Sequence, residues 1–155
     1  MTRRSTQRPT VGSVGYEQLS HEDLFRWLSR CDIKTVVDVR WTPFSFKRGW
    51  SKTPLRNALQ THAIEYRSFR ELGSPPDLRK ELRATGDFNR FSAVWHERLL
   101  PSPEVQRALD EVWGFACTGG VALLCLEHDP QCCHRSILVN ALAARAGLTQ
   151  TMNFA

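Results

Sequence analysis

The sequence predicts an α/β fold: a single domain on a mostly parallel sheet of about five strands, flanked by helices on both faces in a Rossmann-like three-layer arrangement. Three observations predict it. Short β-rich runs alternate with helical patterns along the chain, which implies right-handed crossovers. The run GGVALLCLE is apolar almost throughout, as a strand covered on both faces must be. No repeat, linker or low-complexity tract divides the 155 residues, of which 41% are hydrophobic.

Residues 1–10 form a basic tail carrying Arg3, Arg4 and Arg8, expected to be a solvated terminus, and the domain runs over 11–155. VGSVG is the first strand and ends at Gly15. SHEDLFRWLSRC follows as a helix with Ser20 as cap, Asp23 at the third helical position, and Leu24, Phe25 and Leu28 facing the core. DIKTVVDVR is a buried strand around Val36, Val37 and Val39. Pro43 and Gly49 make WTPFSFKRGW a loop, beginning near Arg40. SKTPLRNALQTHA is a helix capped by Ser51, with Pro54 in its first turn and Leu55, Ala58 and Leu59 on one face, and it leads into the strand IEYRSF.

Residues 70–102 read as a polar excursion of two short helices broken between Thr85 and Asp87. PEVQRALDEVWGFAC is a longer helix, and GGVALLCLE is the expected central strand. HRSILVNALAARAG is an apolar helix stopped by Gly147, and LTQTMNF is the last strand.

No apolar run approaches the roughly 18 residues of a membrane span, and the start lacks the apolar stretch of a secretory signal, so a soluble cytoplasmic protein with no membrane partner is expected. Five cysteines, three of them clustered, fit reduced thiols with a local role better than a disulfide framework. A net charge of +5 favours an anionic partner, a small molecule or a nucleic acid. Oligomeric state is left open by the sequence.

In open parallel sheets ligands bind beyond the carboxyl ends of the strands. That edge holds 15–17, 38–50, 68–74 and 125–135. Cys133, His134 and Arg135 stand where a loop becomes the first turn of the last long helix, so free amides, the helix dipole and Arg135 all favour a Cys133 thiolate. Cys125 and Glu127, two apart on a strand, share one side of the pleat. Asp38 and Arg40 bear the same relation, and a buried Asp38 demands a partner. Trp41, Phe44, Phe46 and Trp50, interleaved with Lys47 and Arg48, suit either stacking on a ring or a hydrophobic lid. His21, His62 and His96 read as ordinary helix residues.

Cys125, His128, Cys132, Cys133 and His134 also offer metal ligands, but one cluster without a second knuckle, with Cys31 and Cys117 isolated, argues against a metal, and no cofactor is expected. The expected roles are Glu127 or Asp38 as general acid/base, Arg40 and Arg135 as anion clamps, His134 as proton carrier or orienter, and Cys133 as nucleophile with Cys125 beside it.

VGSVGYE, VVDVRWTPFS, IEYRSFRELG and LLCLEHDPQCCHRSIL together resemble the bacterial and archaeal domain of unknown function 488 family over nearly the whole chain from Val11. The resemblance implies a three-layer α/β fold with a pocket at the strand ends. It points to Tyr16, Asp38, Arg40, Pro43, Glu71, Gly73, Cys125, Glu127, Pro130, Cys133, His134 and Arg135, and gives Cys132 no role. Tyr16, Trp41, Pro43 and Glu71 join the expected ligand-binding set. Ser74 departs from a glycine often found after the Leu-Gly pair. A weaker likeness to rhodaneses rests on VVDVR, a loop cysteine and a helix opening Arg-Ser, but nine residues separate Cys125 from Arg135, about twice the rhodanese spacing. The function expected is therefore an enzyme acting on an anionic nucleotide-like or nucleic-acid-derived ligand. The alternatives are a non-catalytic nucleic-acid-binding module, rhodanese-like sulfur transfer, and a metal-stabilised domain.

Overall fold

A computed structural model describes residues 8–129, 132–145 and 150–153. Gly147 and Pro130 lie outside the described residues, as do Arg3 and Arg4. Five strands, β1 (Thr10–Gly15), β2 (Ile33–Asp38), β3 (Glu65–Ser68), β4 (Gly120–Cys125) and β5 (Gln150–Asn153), form one sheet in the order β3-β2-β4-β1-β5. Every neighbouring pair is parallel. β4, buried along its whole length, occupies the centre, where a strand without polar side chains belongs.

The helices α1 (His21–Arg30), α2 (Lys52–Gln60), α3 (Pro76–Thr85), α4 (Phe88–Val94), α5 (Pro103–Thr118) and α6 (Arg135–Ala144) connect the strands. Their local signals are mostly as expected. Ser20 and Asp23 form a reciprocal capping box on α1, which satisfies two amides at the helix start. Gly86, in the left-handed conformation at φ 67°, ends α3, and the Asp87 carboxylate accepts from the Arg90 amide to start α4. Ser51 differs: it makes no side-chain cap on α2, because its hydroxyl is engaged with the Ser45 backbone and closes the loop after β2 instead.

Strand parity divides the interior into two cores. Val36, Ala122, Leu124 and Val14 face α1 and α2, where Leu24, Leu28, Leu55 and Leu59 complete one cluster. Val37, Val121, Leu123 and Cys125 face α5 and α6, with Leu109, Val112, Leu138 and Leu142. The excursion between β3 and α5 also packs into this second core through Leu72, Leu78, Phe91 and Trp95. No helix among the described residues is long and apolar enough to cross a membrane.

Candidate functional site

The ends of β1, β4 and β2 lie side by side, so the segments that follow them meet. The Tyr16 amide donates to the Cys125 carbonyl (3.1 Å) and the Val39 amide to that of Leu124 (3.1 Å), which extends the sheet pairing just past the strands. Beyond this edge lies a cavity of about 210 Å³. Cys125, Glu127, Cys132, Cys133 and His134 line one side, Tyr16, Arg40, Trp41 and Phe44 another, and Ser74, Arg79, Leu82, Arg83 and Phe91 the side supplied by the excursion.

Two glycines let these segments approach. A Cβ at Gly15 would stand 1.7 Å from the Glu127 carbonyl oxygen, and one at Gly73 would stand 2.4 Å from the Trp41 nitrogen. Both contacts are backbone, which cannot swing aside. Gly15→Ala is expected to destabilise the fold by about 2 kcal/mol or more, through strain and a displaced β4 end. Thermal unfolding checks it, and an unchanged melting temperature would show that the two segments separate freely.

Within the cavity Cys125, Cys133 and His134 bring their sulfur and nitrogen atoms within 4.8 Å of one another, all three buried. His134 lies against Trp95, centroids 5.3 Å apart and planes 12° from parallel, and its Nε2 sits 3.0 Å from the Val39 carbonyl. A carbonyl only accepts, so Nε2 carries a proton and donates it. Nδ1 therefore faces Cys133 Sγ, 3.6 Å away, as a proton acceptor from the thiol or as an imidazolium donor to the thiolate.

The electrostatics favour the ion pair. Burial opposes a Cys133 thiolate, but the hydrogen bond from the Cys125 thiol, then His134 and Arg135, outweigh it and hold Cys133 well below the ordinary thiol range. Burial likewise opposes charge on His134, and the Cys133 thiolate raises it above the ordinary imidazole value. Cys125 is pushed well above the thiol range, first by its hydrogen bond to Cys133 and then by burial. Glu127 Oε2 lies 3.2 Å from Cys125 Sγ, and burial followed by the Cys133 charge raises its carboxyl. The four shifts thus run in one direction along the row, toward the protonated form at Glu127, Cys125 and His134 and toward the thiolate at Cys133.

The same three donors are close enough to meet on one metal ion, and the Val39 carbonyl supplies the outer hydrogen bond such a histidine ordinarily makes. Loop spacing led the sequence away from a metal, whereas the fold places the Cys125 and Cys133 sulfurs together from opposite ends of that loop.

Other expected site residues do not join this cluster. Asp38, 0% exposed, sits on the α1/α2 side of the sheet with Arg40. Arg40 donates from Nε and NH2 to the two Asp38 oxygens (2.8 and 2.6 Å), and from NH1 to the Tyr16 hydroxyl and the Trp50 carbonyl (3.2 and 2.7 Å). Tyr66 donates its hydroxyl to Asp38 as well (2.5 Å), and burial and then the Asp38 charge raise its pKa. This corrects two expectations. Asp38 is saturated and does not line the cavity, and Arg40 spends four of its five N–H groups inside the protein, so neither is placed as acid/base or clamp.

Arg135 is buried and does not line the cavity; its NH2 donates to the Glu127 carbonyl (2.5 Å), which pins the loop and brings positive charge beneath Cys133. Pro43 and Glu71 also stand off the cavity. Glu71 is exposed on the short helical turn Arg70–Leu72, and the Pro43 carbonyl accepts from the Lys52 amide (2.9 Å). Lys47, read as a phosphate-holding cation, instead donates to the Tyr16, Glu17 and Leu19 carbonyls at 2.9, 3.1 and 2.5 Å. Trp50 is buried, stacked on Tyr16 at 4.8 Å. His21 also fastens this loop, donating from Nε2 to the Gly49 carbonyl (2.8 Å).

The sequence reading missed the excursion's contribution. Arg79 and Arg83, one turn apart beside Leu82, bring two cations to the cavity, and Ser74 accepts from the Trp95 indole (3.1 Å) to set the start of α3. The i,i+4 spacing was the available signal; nothing in it said that α3 folds back over the strand ends.

The family model described as Domain of unknown function DUF488 matches residues 20–142 of the chain. The chain belongs to the DUF488 family. The match takes in β2, the excursion, β4 and the opening of α6, and therefore every residue of this DUF488 cavity except Tyr16. No curated protein and no solved structure matches this DUF488 chain significantly.

Proposed function

We propose that this DUF488 protein is an enzyme in which Cys133 is the nucleophile toward a small anionic, nucleotide-like ligand or one derived from nucleic acid. The observation that carries the reading is the Cys133 sulfur on the cavity wall, facing His134 Nδ1 while Nε2 is fixed on the Val39 carbonyl. That arrangement makes a thiolate available near neutral pH and orients its base.

The chemistry follows from the row of groups. The Cys133 thiolate attacks an electrophilic centre of the ligand; a bond to sulfur forms and the bond to the leaving group breaks. Glu127, whose carboxyl burial raises toward its protonated form, gives a proton to the departing group. The resulting carboxylate then takes a proton from water, whose oxygen displaces sulfur and returns Cys133 as thiolate. Cys125, too basic to compete as nucleophile, donates its hydrogen bond to the sulfur in the resting state. No cofactor is needed for this sequence.

The test is turnover on a panel of nucleotides and oligonucleotides, with intact-mass detection of a covalent adduct. Cys133→Ala should abolish turnover, and Glu127→Gln should lower kcat by about 100-fold, flatten the pH dependence and accumulate the Cys133 adduct. One zinc per purified chain with Cys133 unreactive would assign the cluster to a metal and overturn the nucleophile. A non-catalytic nucleic-acid-binding reading has one observation behind it, the exposure of Phe44 and of Phe46 (98%) on the loop at the cavity. It predicts affinity that falls steeply with salt and survives Glu127→Gln.

A further inference from the structure

We propose that Arg79 and Arg83 of α3 form the anion subsite of the cavity and that it takes a phosphate monoester carried on a flat ring. The inference rests on the reading of Cys133 as the group at which that ligand reacts.

Of the arginines first expected to clamp an anion, Arg40 is occupied by Asp38, Tyr16 and Trp50, and Arg135 leaves Nε and NH1 buried without an acceptor but stands beneath the loop, off the cavity lining. Arg79 and Arg83 line the cavity and have no ion-pair partner among the described residues. The Arg79 Nε–H is buried with no hydrogen-bond acceptor there, a state that costs free energy until an acceptor arrives. Its side chain is half-buried on α3, a helix that Leu78 anchors in the core. A guanidinium so fixed loses little freedom on gripping an oxyanion bidentately.

Charge balance selects the ligand. Arg40 is neutralised by Asp38, and the Cys133–His134 pair is neutral as a unit. What remains unpaired on the cavity lining is two guanidiniums, with the Arg135 charge beneath Cys133 behind them, and a phosphate dianion offsets this positive excess where a neutral ligand leaves it unpaired. Trp41, Phe44, Leu82 and Phe91 offer the apolar surface against which a ring can lie.

The measurement is the alkylation rate of Cys133 with iodoacetate and with iodoacetamide, read by mass spectrometry at one pH. The anionic reagent should gain relative to the neutral one in the native protein, and Arg79→Met should cut the iodoacetate-to-iodoacetamide ratio by about tenfold. Inorganic phosphate and 5′-mononucleotides should protect Cys133, and the protection should vanish in Arg79→Met and weaken in Arg83→Met, a change on exposed surface that leaves the fold intact. Protection by a 5′-phosphorylated oligonucleotide better than by the mononucleotide would identify a strand end as the source of the phosphate; the reverse would identify free nucleotide. An unchanged ratio and unchanged protection in the Arg79→Met/Arg83→Met double variant would overturn the subsite. If instead Cys133 reacts no faster than a free thiol, the nucleophile reading falls, and calorimetric phosphate binding by the native and double-variant proteins still decides the subsite.

Discussion

At pH 6.5 Cys133 will be alkylated by iodoacetamide about tenfold faster than a free thiol, and ahead of the exposed Cys117 and Cys132. The magnitude follows from the ionised fraction. A free thiol at that pH is only about 1% thiolate, so a largely ionised Cys133 gains up to about 100-fold in reactive form. Part of the gain is returned, because a thiolate of low basicity is intrinsically less nucleophilic. Burial of Cys133 at 2% exposure returns more.

The sign of the pH dependence is fixed by the direction of the shift. A depressed thiol keeps its thiolate as pH falls below the ordinary range and loses it only on passing the depressed value, so the Cys133 rate stays flat where free-thiol rates fall tenfold per unit. Cys125→Ala removes the largest stabiliser of the thiolate and should move the profile toward higher pH. A Cys133 profile that superimposes on that of a free thiol would end the ion-pair description.

Arg40→Met is expected to cost about 3–5 kcal/mol of stability, the largest effect of any single change considered. Asp38 is fully buried, and the substitution leaves its carboxylate with Tyr66 and one backbone amide but no counter-charge. It also frees the Tyr16 hydroxyl and the Trp50 carbonyl. For a chain of this length the melting temperature should drop by roughly 10 °C. Asp38→Leu/Arg40→Met removes both charges and should recover part of the loss, because the penalty lies in the orphaned charge and not in the absent attraction. A single variant that unfolds within about 2 °C of the native protein would show that the buried Asp38 side chain does not depend on its counter-charge.

This pair shows where reading from sequence stops. Alternation along a strand correctly grouped Asp38 with Arg40 and Cys125 with Glu127, since parity is local and each pair is two residues apart. It did not say that the two pairs lie on opposite faces. The relative parity of β2 and β4 depends on their register, with Val37 opposite Leu123 and Asp38 opposite Leu124. Asp38 and Leu124 therefore look toward α1 and α2, while Cys125 looks the other way. The expected single crevice lined by all the acids and thiols divides into a structural strut and a cavity for this reason.

The sequence by itself determined the alternation of strands and helices, the central place of β4, the capped start of α1, and the convergence of Tyr16, Cys125, Glu127, Cys133 and His134 at one sheet edge. All of these follow from signals within about ten residues, or from the rule that parallel strands present their carboxyl ends together. The tertiary structure decided which cations are free. Arg40 and Lys47 looked available and are consumed by carboxylate and carbonyl partners, Arg135 is turned beneath the loop and off the cavity lining, and Arg79 and Arg83 looked like surface charge and line the cavity. Hydrogen-bond saturation depends on partners such as Tyr16 and Trp50, 24 and 10 residues from Arg40, and on where the excursion folds back. No local pattern encodes either, because the first is set by the packing of Tyr16 and Trp50 into the α1/α2 core and the second by that of Leu78, Phe91 and Trp95 into the α5/α6 core.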